Sequence, residues 1–261
     1  MEKPYCFIIP HGGYQIPEEL AQLCVLNDLE LFFEADTCAN DLFDLHQIGT
    51  VIHTSIHRLF IDVDRDPYTL PPRSSNGVMK MHTSQKKLMF TSGVFPDEIA
   101  IAAMMKRYWF PFHNSIEHAV KSKSTRCIIV CHTTMPVAPP VARDAGIPRP
   151  IIAIEHGVTN GSDIITCEET IALKLLSFFQ KAFGSEDCTV TSPFVIAKPA
   201  QRYIMQRYAK HKIPIIRVAL SKSLFLNEKY FDPQNLSIDS HRTQHIQERL
   251  HDCFSKFARF I

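Results

Sequence analysis

The chain has 261 residues, 45% hydrophobic and 21% charged, an ordinary globular composition with enough apolar surface for one sizeable core. A formal charge of +1 leaves no electrostatic footprint for nucleic acid or an anionic membrane, and the basic clusters at 121–126 and 206–212 read as solvated faces or loops. No run of about 18 apolar residues exists, so no transmembrane helix is expected, and the apolar stretch before Pro10 is too short for a signal-peptide core.

In chain order, Tyr5 to Ile9 reads as a buried strand that stops at Pro10-His11-Gly12-Gly13. Pro17 to Phe33 has helical spacing at Leu20, Leu23, Leu26 and Leu29, with Asn27-Asp28 as a point of division, and Asp36 to His46 is again helical. Thr50 to Ile56 and Leu59 to Val63 suit strands. From Pro67 to Val94, Pro71-Pro72, Ser74-Ser75-Asn76-Gly77 and Thr91-Ser92-Gly93 break any long element, which predicts a long surface excursion of the kind that covers an active site. Pro96 to Lys121 is helical, with a kink or break expected at Pro111.

Cys127 to Cys131 is an apolar strand ending at His132. A Pro-rich loop, Pro136 to Pro150, precedes a strand at Ile151 to Ile154 that ends at Glu155-His156-Gly157. Glu168 to Phe183 is an amphipathic helix, Cys188 to Thr191 a short strand, Pro199 to Lys210 a helix, Ile213 to Leu220 a buried strand and Ser240 to Phe260 a last helix. Strands alternating with helices imply a single α/β domain over residues 1–261, a mixed, mostly parallel sheet with helices on both faces.

Four apolar segments end in ionisable residues: His11 after Ile9, Arg65 after Asp62-Val63-Asp64, His132 after Cys131, and Glu155-His156 after Ile154. In open α/β sheets ligands bind beyond the carboxyl ends of strands, so these residues are expected at one edge. Two histidines and a carboxylate are what a catalytic zinc uses. Such an ion lowers the pKa of a coordinated water and polarises a carbonyl. The eight cysteines contain no C-x-x-C and no secretion signal precedes them, so reduced thiols in the cytoplasm are expected rather than a structural cysteine–zinc site. Cys131 and His132 are adjacent on a strand and point to opposite faces, which excludes them as a nucleophile–base pair. No G-x-S-x-G, G-x-x-x-x-G-K-[ST] or G-x-G-x-x-G occurs, so neither a serine elbow nor a nucleotide cofactor has support.

Several ordered motifs add to this reading. Pro10-His11-Gly12-Gly13 with Pro17, the string Asp36 to Phe43, the string His57 to Pro67, Pro111-Phe112-His113, and Cys131-His132-Thr133-Thr134-Met135-Pro136 stand in that order, followed by Arg217 to Glu228. Together they resemble the N-formylglutamate amidohydrolases, which are related in fold to zinc carboxypeptidases and aspartoacylases. The resemblance spans about residues 8 to 228. It implies one divalent metal, zinc by expectation, held by His11, Asp36 and His132. Arg65 would pair with a substrate carboxylate through its planar fork, and His113 would lie near the substrate. The residues leave alternatives open: Arg65 could pair with Asp62, Asp64 or Asp66, and His113 could be satisfied within its helix.

The chain also departs from the family pattern. Ala219 stands where the family carries its general-base glutamate, Val130 replaces an acidic residue, Asp64 replaces an asparagine, and Gly12 and Thr133 replace serines. Glu155 is the candidate for a relocated base, against an ordinary salt-bridged glutamate. Asp64 points away from an acidic substrate and toward a neutral or cationic acyl-amine. The expected function is hydrolysis of a C–N amide bond in a small N-acyl or N-formyl amino-acid-like substrate. The alternatives are a catalytically altered or silent metal or small-molecule binder, and a different metal-dependent reaction on the same scaffold.

Overall fold

A computed structural model describes residues 3–71, 73–91, 93–142, 144–159, 163–184, 187–190, 195–196 and 202–261. The strands are β1 (Tyr5–Ile9), β2 (Gly49–His53), β3 (Cys127–Thr134), β4 (Ile152–Glu155), β5 (Gly157–Thr159), β6 (Asp163–Ile165), β7 (Cys188–Val190), β8 (Val195–Ile196), β9 (Ile215–Ser221), β10 (Phe231–Asp232) and β11 (Ser237–Ile238). The helices are α1 (Glu18–Ala21), α2 (Asp28–Glu34), α3 (Ala39–Leu42), α4 (Glu98–Met104), α5 (Phe110–Val120), α6 (Glu169–Phe183), α7 (Tyr203–Tyr208) and α8 (Ser240–Phe257).

The central sheet has the order β2-β1-β3-β9-β4-β7. The first four strands run parallel; β4 is antiparallel to β9, and β7 runs parallel to β4. The strands read as continuous apolar runs because both faces are covered. Cys6, Ile8, Ile128, Val130 and Ile215 pack with Met104, Trp109, Ile116 and Met205 on one side. Phe7, Ile9, Ile129, Ile154 and Val218 pack with Leu42, Phe179, Leu250 and Phe254 on the other. The expected mixed α/β sheet with helices on both faces is therefore the observed one.

Local departures have local causes. The expected 17–33 helix divides where Asn27 caps α2: its side chain accepts from Glu30 N, and Glu30 reaches back to Asn27 N. Pro111 does not break its helix. Residues 105–109 form a π turn in which Phe110 N–H bonds to Met105 carbonyl, absorbing the missing proline donor. Leu59 to Val63 is not a strand but a buried loop, and its backbone bonds go to the excursion, Asp62 N to Val78 O at 2.6 Å and Lys80 N to Leu59 O at 3.0 Å. The excursion is accordingly pinned by buried Val78, Met79, Met89 and Phe90 rather than lying wholly on the surface.

The small sheet β6-β5-β8 and the hairpin β10-β11 were not expected from periodicity. Residues 199–201 of the expected helix, Thr191, Pro72 and Ser92 lie outside the described residues. All eight cysteines are free, and no described helix is long and apolar enough to cross a membrane.

Phe254 meets the rings of Tyr5, Phe7 and Phe179 at centroid distances of 5.6, 5.1 and 5.6 Å, tying α8 and α6 to β1. Phe254→Ala is expected to lower the unfolding free energy by about 3–5 kcal/mol, as read by chemical denaturation.

Candidate functional site

Three loops converge where β1 and β3 end. His11 follows β1 directly, and its carbonyl accepts a hydrogen bond from Asp36 N at 3.0 Å, so the two residues are fixed to each other through backbone. The close approach requires glycine. A Cβ at Gly13 would lie 2.4 Å from the Ser55 backbone, and one at Gly12 would lie 2.2 Å from the Asn40 side chain. His132 lies within β3, and the neighbouring Thr133 hydroxyl donates to Thr37 O at 2.9 Å, tying the Asp36 loop to the strand.

Asp36, His11 and His132 are each nearly inaccessible and offer ligand atoms within 4.8 Å of one another. Asp36 Oδ2 stands 2.8 Å from His132 Nδ1 and 3.6 Å from His11 Nδ1, while Arg58 donates to Asp36 Oδ1 at 3.1 Å. Burial works against the Asp36 charge, but the adjacent His11 and His132 imidazoles, the latter hydrogen-bonded to it, outweigh it and hold the carboxyl well below its usual range. Burial and the Arg217 guanidinium hold His132 well below the usual imidazole range, so its ring is neutral.

A second carboxylate orients His11. Asp62 Oδ1 lies 2.7 Å from His11 Nε2, and Asp62 Oδ2 takes the Lys80 ammonium at 2.7 Å. The excursion therefore supplies a counter-charge to the site. Burial and the Arg65 charge push Lys80 down to about 7. His11 Nδ1 and His132 Nε2 are buried with no hydrogen-bond partner among the described residues. Orphaned buried nitrogens are rare in proteins. A neutral imidazole, an anionic carboxylate and a second imidazole with an unused nitrogen and a carboxylate behind it form a donor set that fits a divalent ion.

The residues match the N-formylglutamate amidohydrolase family model over positions 3–226. The chain belongs to the N-formylglutamate amidohydrolase family. An N-formylglutamate amidohydrolase from Ralstonia eutropha JMP134 shares the fold with a TM-score of 0.71 at 14% identity, covering 99% of this chain and 93% of that one. A gene product of Agrobacterium tumefaciens does so with a TM-score of 0.67 at 15% identity, covering 98% and 90%. No curated protein matches the chain. Family membership implies amidohydrolase chemistry on a small molecule, and the buried His-Asp-His group could hold a metal ion.

The other expected site residues, Arg65, His113 and Glu155, have partners within the fold. Arg65 is buried and turned inward, donating to Asn76 O at 3.3 Å and Asp64 O at 3.2 Å, with Asp62 at 3.6 Å. His113 uses both ring nitrogens, toward Val63 O at 2.9 Å and the Tyr208 hydroxyl at 3.0 Å. One turn earlier, Trp109 Nε1 donates to Arg65 O at 3.1 Å. These two helix residues clamp the loop that carries Asp62. Arg65 takes the local ion-pair arrangement, and His113 is satisfied by groups outside its own helix.

Glu155 does not reach the carboxyl edge with the other residues, because β4 runs antiparallel to β9 and places Glu155 opposite Arg217 on the sheet face. Its carboxylate accepts from Arg202 Nε at 2.9 Å, Arg202 Nη2 at 3.1 Å and Arg217 Nη1 at 2.6 Å. Burial favours protonation, but the two guanidiniums prevail and push Glu155 down to about 2. A carboxylate held this way is a weak proton acceptor near neutrality. Asp64, read as an acidic intrusion, accepts from Ile204 N at 2.9 Å at the start of α7, so its charge is engaged within the fold.

Lys80, Arg58, Arg202 and Arg217 escaped sequence reasoning. Arg217 alone gave a signal, as a cation inside the otherwise apolar string Ile213 to Leu220.

Because the Glu155 pKa falls from 4.5 to about 2 on folding, the pairing stabilises fully above about 4.5 and is lost as pH falls toward 2. Glu155→Gln is expected to cost about 3–5 kcal/mol at neutral pH. Its deficit relative to wild type should shrink as denaturation is repeated through that acid window, and a gap independent of pH would contradict the assignment.

Proposed function

We propose that the chain is a metal-dependent amidohydrolase that cleaves a C–N amide bond in a small N-acyl or N-formyl amino-acid-like compound. The observation that carries this reading is the buried His11–Asp36–His132 group with its unpartnered imidazole nitrogens. These three residues would hold the ion, for which zinc suits the nitrogen and oxygen donors. When bound, a divalent ion supplies Lewis acidity, which polarises an amide carbonyl and makes water a competent nucleophile at neutral pH.

The chain's own residues prepare that centre. Asp62 fixes the His11 ring from behind, and the Arg65 and Lys80 charges favour its ionised, accepting form. Arg58 fixes Asp36. In this reading Arg65 and His113 act by holding the loop that carries Asp62, and Glu155 holds two arginines rather than moving a proton. The eight free cysteines suit a reducing, cytoplasmic setting.

A second reading, a silent family member that binds metal or a small molecule, is supported by two observations. Ala219 lies directly beside His132 in the β3–β9 ladder, and the one carboxylate nearby on that face, Glu155, is fully engaged.

Protein purified without chelator is expected to carry stoichiometric zinc or a similar divalent metal by elemental analysis. His11→Ala and His132→Ala should lose it while keeping their circular dichroism. Folded wild-type protein that takes up no metal on reconstitution would sink the hydrolase reading and the metal-binding form of the second, leaving a small-molecule binder. Asp62→Asn is expected to weaken metal affinity about 10–100-fold, as measured by competition with a chromophoric chelator. Metal-dependent release of amine from a panel of N-acyl amino acids separates the readings, since binding without turnover leaves the silent homologue.

A further inference from the structure

We propose that the cleft between the Phe32–Asp41 segment and the β10–β11 hairpin binds a small organic ammonium, an amine carried on an apolar or aromatic body. The inference is independent of the hydrolase reading, because no residue of this cleft belongs to the His11–Asp36–His132 group.

Shape comes first. The cleft has a volume of about 560 Å³, the size of a small-molecule site. Tyr14, Phe32 and Cys38 line one side, and Leu236 and Ile238 line the other. Tyr14 and Phe32 stack at a centroid distance of 6.3 Å with 23° between their planes, and Phe32 continues the row to Phe231 at 5.4 Å and 18°. Tyr14, at the open end of this row, is 45% exposed. Aromatic faces carry negative charge density and attract ammonium groups.

Charge decides the class of ligand. Asp41 lines the same cleft, and its carboxylate has no hydrogen-bond or ion-pair partner among the described residues; Gln247 bonds only its backbone carbonyl, at 2.9 Å. Burial and the neighbouring Asp44 carboxylate push the Asp41 pKa up, which marks a negative charge without compensation. The Asp41 charge is felt at the Tyr14 hydroxyl, so the acid and the ring serve one space. No lysine, arginine or histidine among the described residues lines the cleft. The positive end of α8 opens at Ser240, but Asp239 caps it by accepting from Arg242 N at 3.0 Å, so that helix end already has its acid. An anion here would meet two carboxylates and an aromatic face. A neutral apolar ligand would desolvate Asp41 and give it nothing in return. An ammonium satisfies the carboxylate and the ring together.

The backbone adds a further mark. Cys38 and Leu236, one on each side, hold left-handed backbones with φ of 59° and 49°, a conformation that is an outlier for a bulky residue such as leucine. Strain of this kind gathers at ligand sites, where surrounding contacts hold it in place.

The test is calorimetric titration of the full chain near neutral pH, with and without zinc, using phenethylamine, phenethyl alcohol and phenylacetate as probes that share a ring and differ in charge. In both forms the amine is expected to bind about tenfold or more tighter than the alcohol, with phenylacetate weakest. Asp41→Asn should bring the amine down to the alcohol, Asp41→Glu should keep part of the preference, and Tyr14→Leu should weaken the amine more than the alcohol. Asp41 and Tyr14 are both exposed, so these variants are expected to keep the wild-type circular dichroism; the wild-type series decides by itself if one does not. Equal binding of amine and alcohol, no binding of the amine, amine binding that requires zinc, or an Asp41→Asn protein that keeps the preference would overturn the site.

Discussion

Asp36 shared between two imidazoles is the interaction on which the rest of the site depends. A carboxylate with 3% exposure keeps its charge only if donors surround it, and His132, His11 and Arg58 do so. Each of those donors then has to be held. His11 is held by Asp62, which in turn requires Lys80, and Lys80 arrives only because the 67–94 excursion packs its apolar residues under the site. Lys222, from the turn after β9, ties down the carbonyls of Phe33 and Ala35 next to Asp36. Buried charge propagates outward in this way until it reaches solvent or a backbone dipole. Distant segments become necessary to a few square ångströms of chemistry.

The reversal of strand direction at β4 has the next largest consequence. Four parallel strands deliver their carboxyl ends to one edge, where His11 and His132 lie. β4 runs the other way, so its last residue sits low on the sheet face, and Glu155 becomes a partner for Arg217 instead of a group at the rim. The same chain reversal sets Ala153 opposite Ala219, leaving two small side chains in the row beside His132. The site's width on that side is a matter of strand topology as much as of residue choice.

Strand periodicity and the ends of apolar runs made β1, β3, β9, α6 and α8 legible, together with His11 just past β1, while β3 continues two residues beyond His132. Those signals are local. Strand direction is not: Ile152-Ala153-Ile154 is equally apolar whether parallel or antiparallel, so Glu155 could not be placed from pattern alone. Leu59 to Val63 fails for a related reason, because a loop buried under the excursion has the same composition as a strand. Lys80 lies in a segment with no periodicity, and only tertiary packing makes its ammonium a partner for Asp62. Asp36 became legible through the ordered motifs, since its helix is four residues long and carries little signal of its own.

The departures from the family pattern look different once placed in space. Gly12 leaves room for the Asn40 side chain, and Asp64 caps the first turn of α7. Val130 is the most informative. Arg217 is its register partner, and Glu155 flanks Arg217 on the far side. The acid missing from position 130 is thus matched by an acid at 155, across the same arginine. A carboxylate at 130 would compete with Glu155 for Arg217 and would border the apolar residues Ile8, Ile128 and Ile116, where burying a further charge is costly. With valine there and glutamate on β4, the layer stays apolar and the guanidinium stays paired. Random loss of function would leave orphaned charges at such positions. Here Asp64 and Arg217 are engaged, by Ile204 N and Glu155, which argues that the charges around these two positions remain accommodated by the fold.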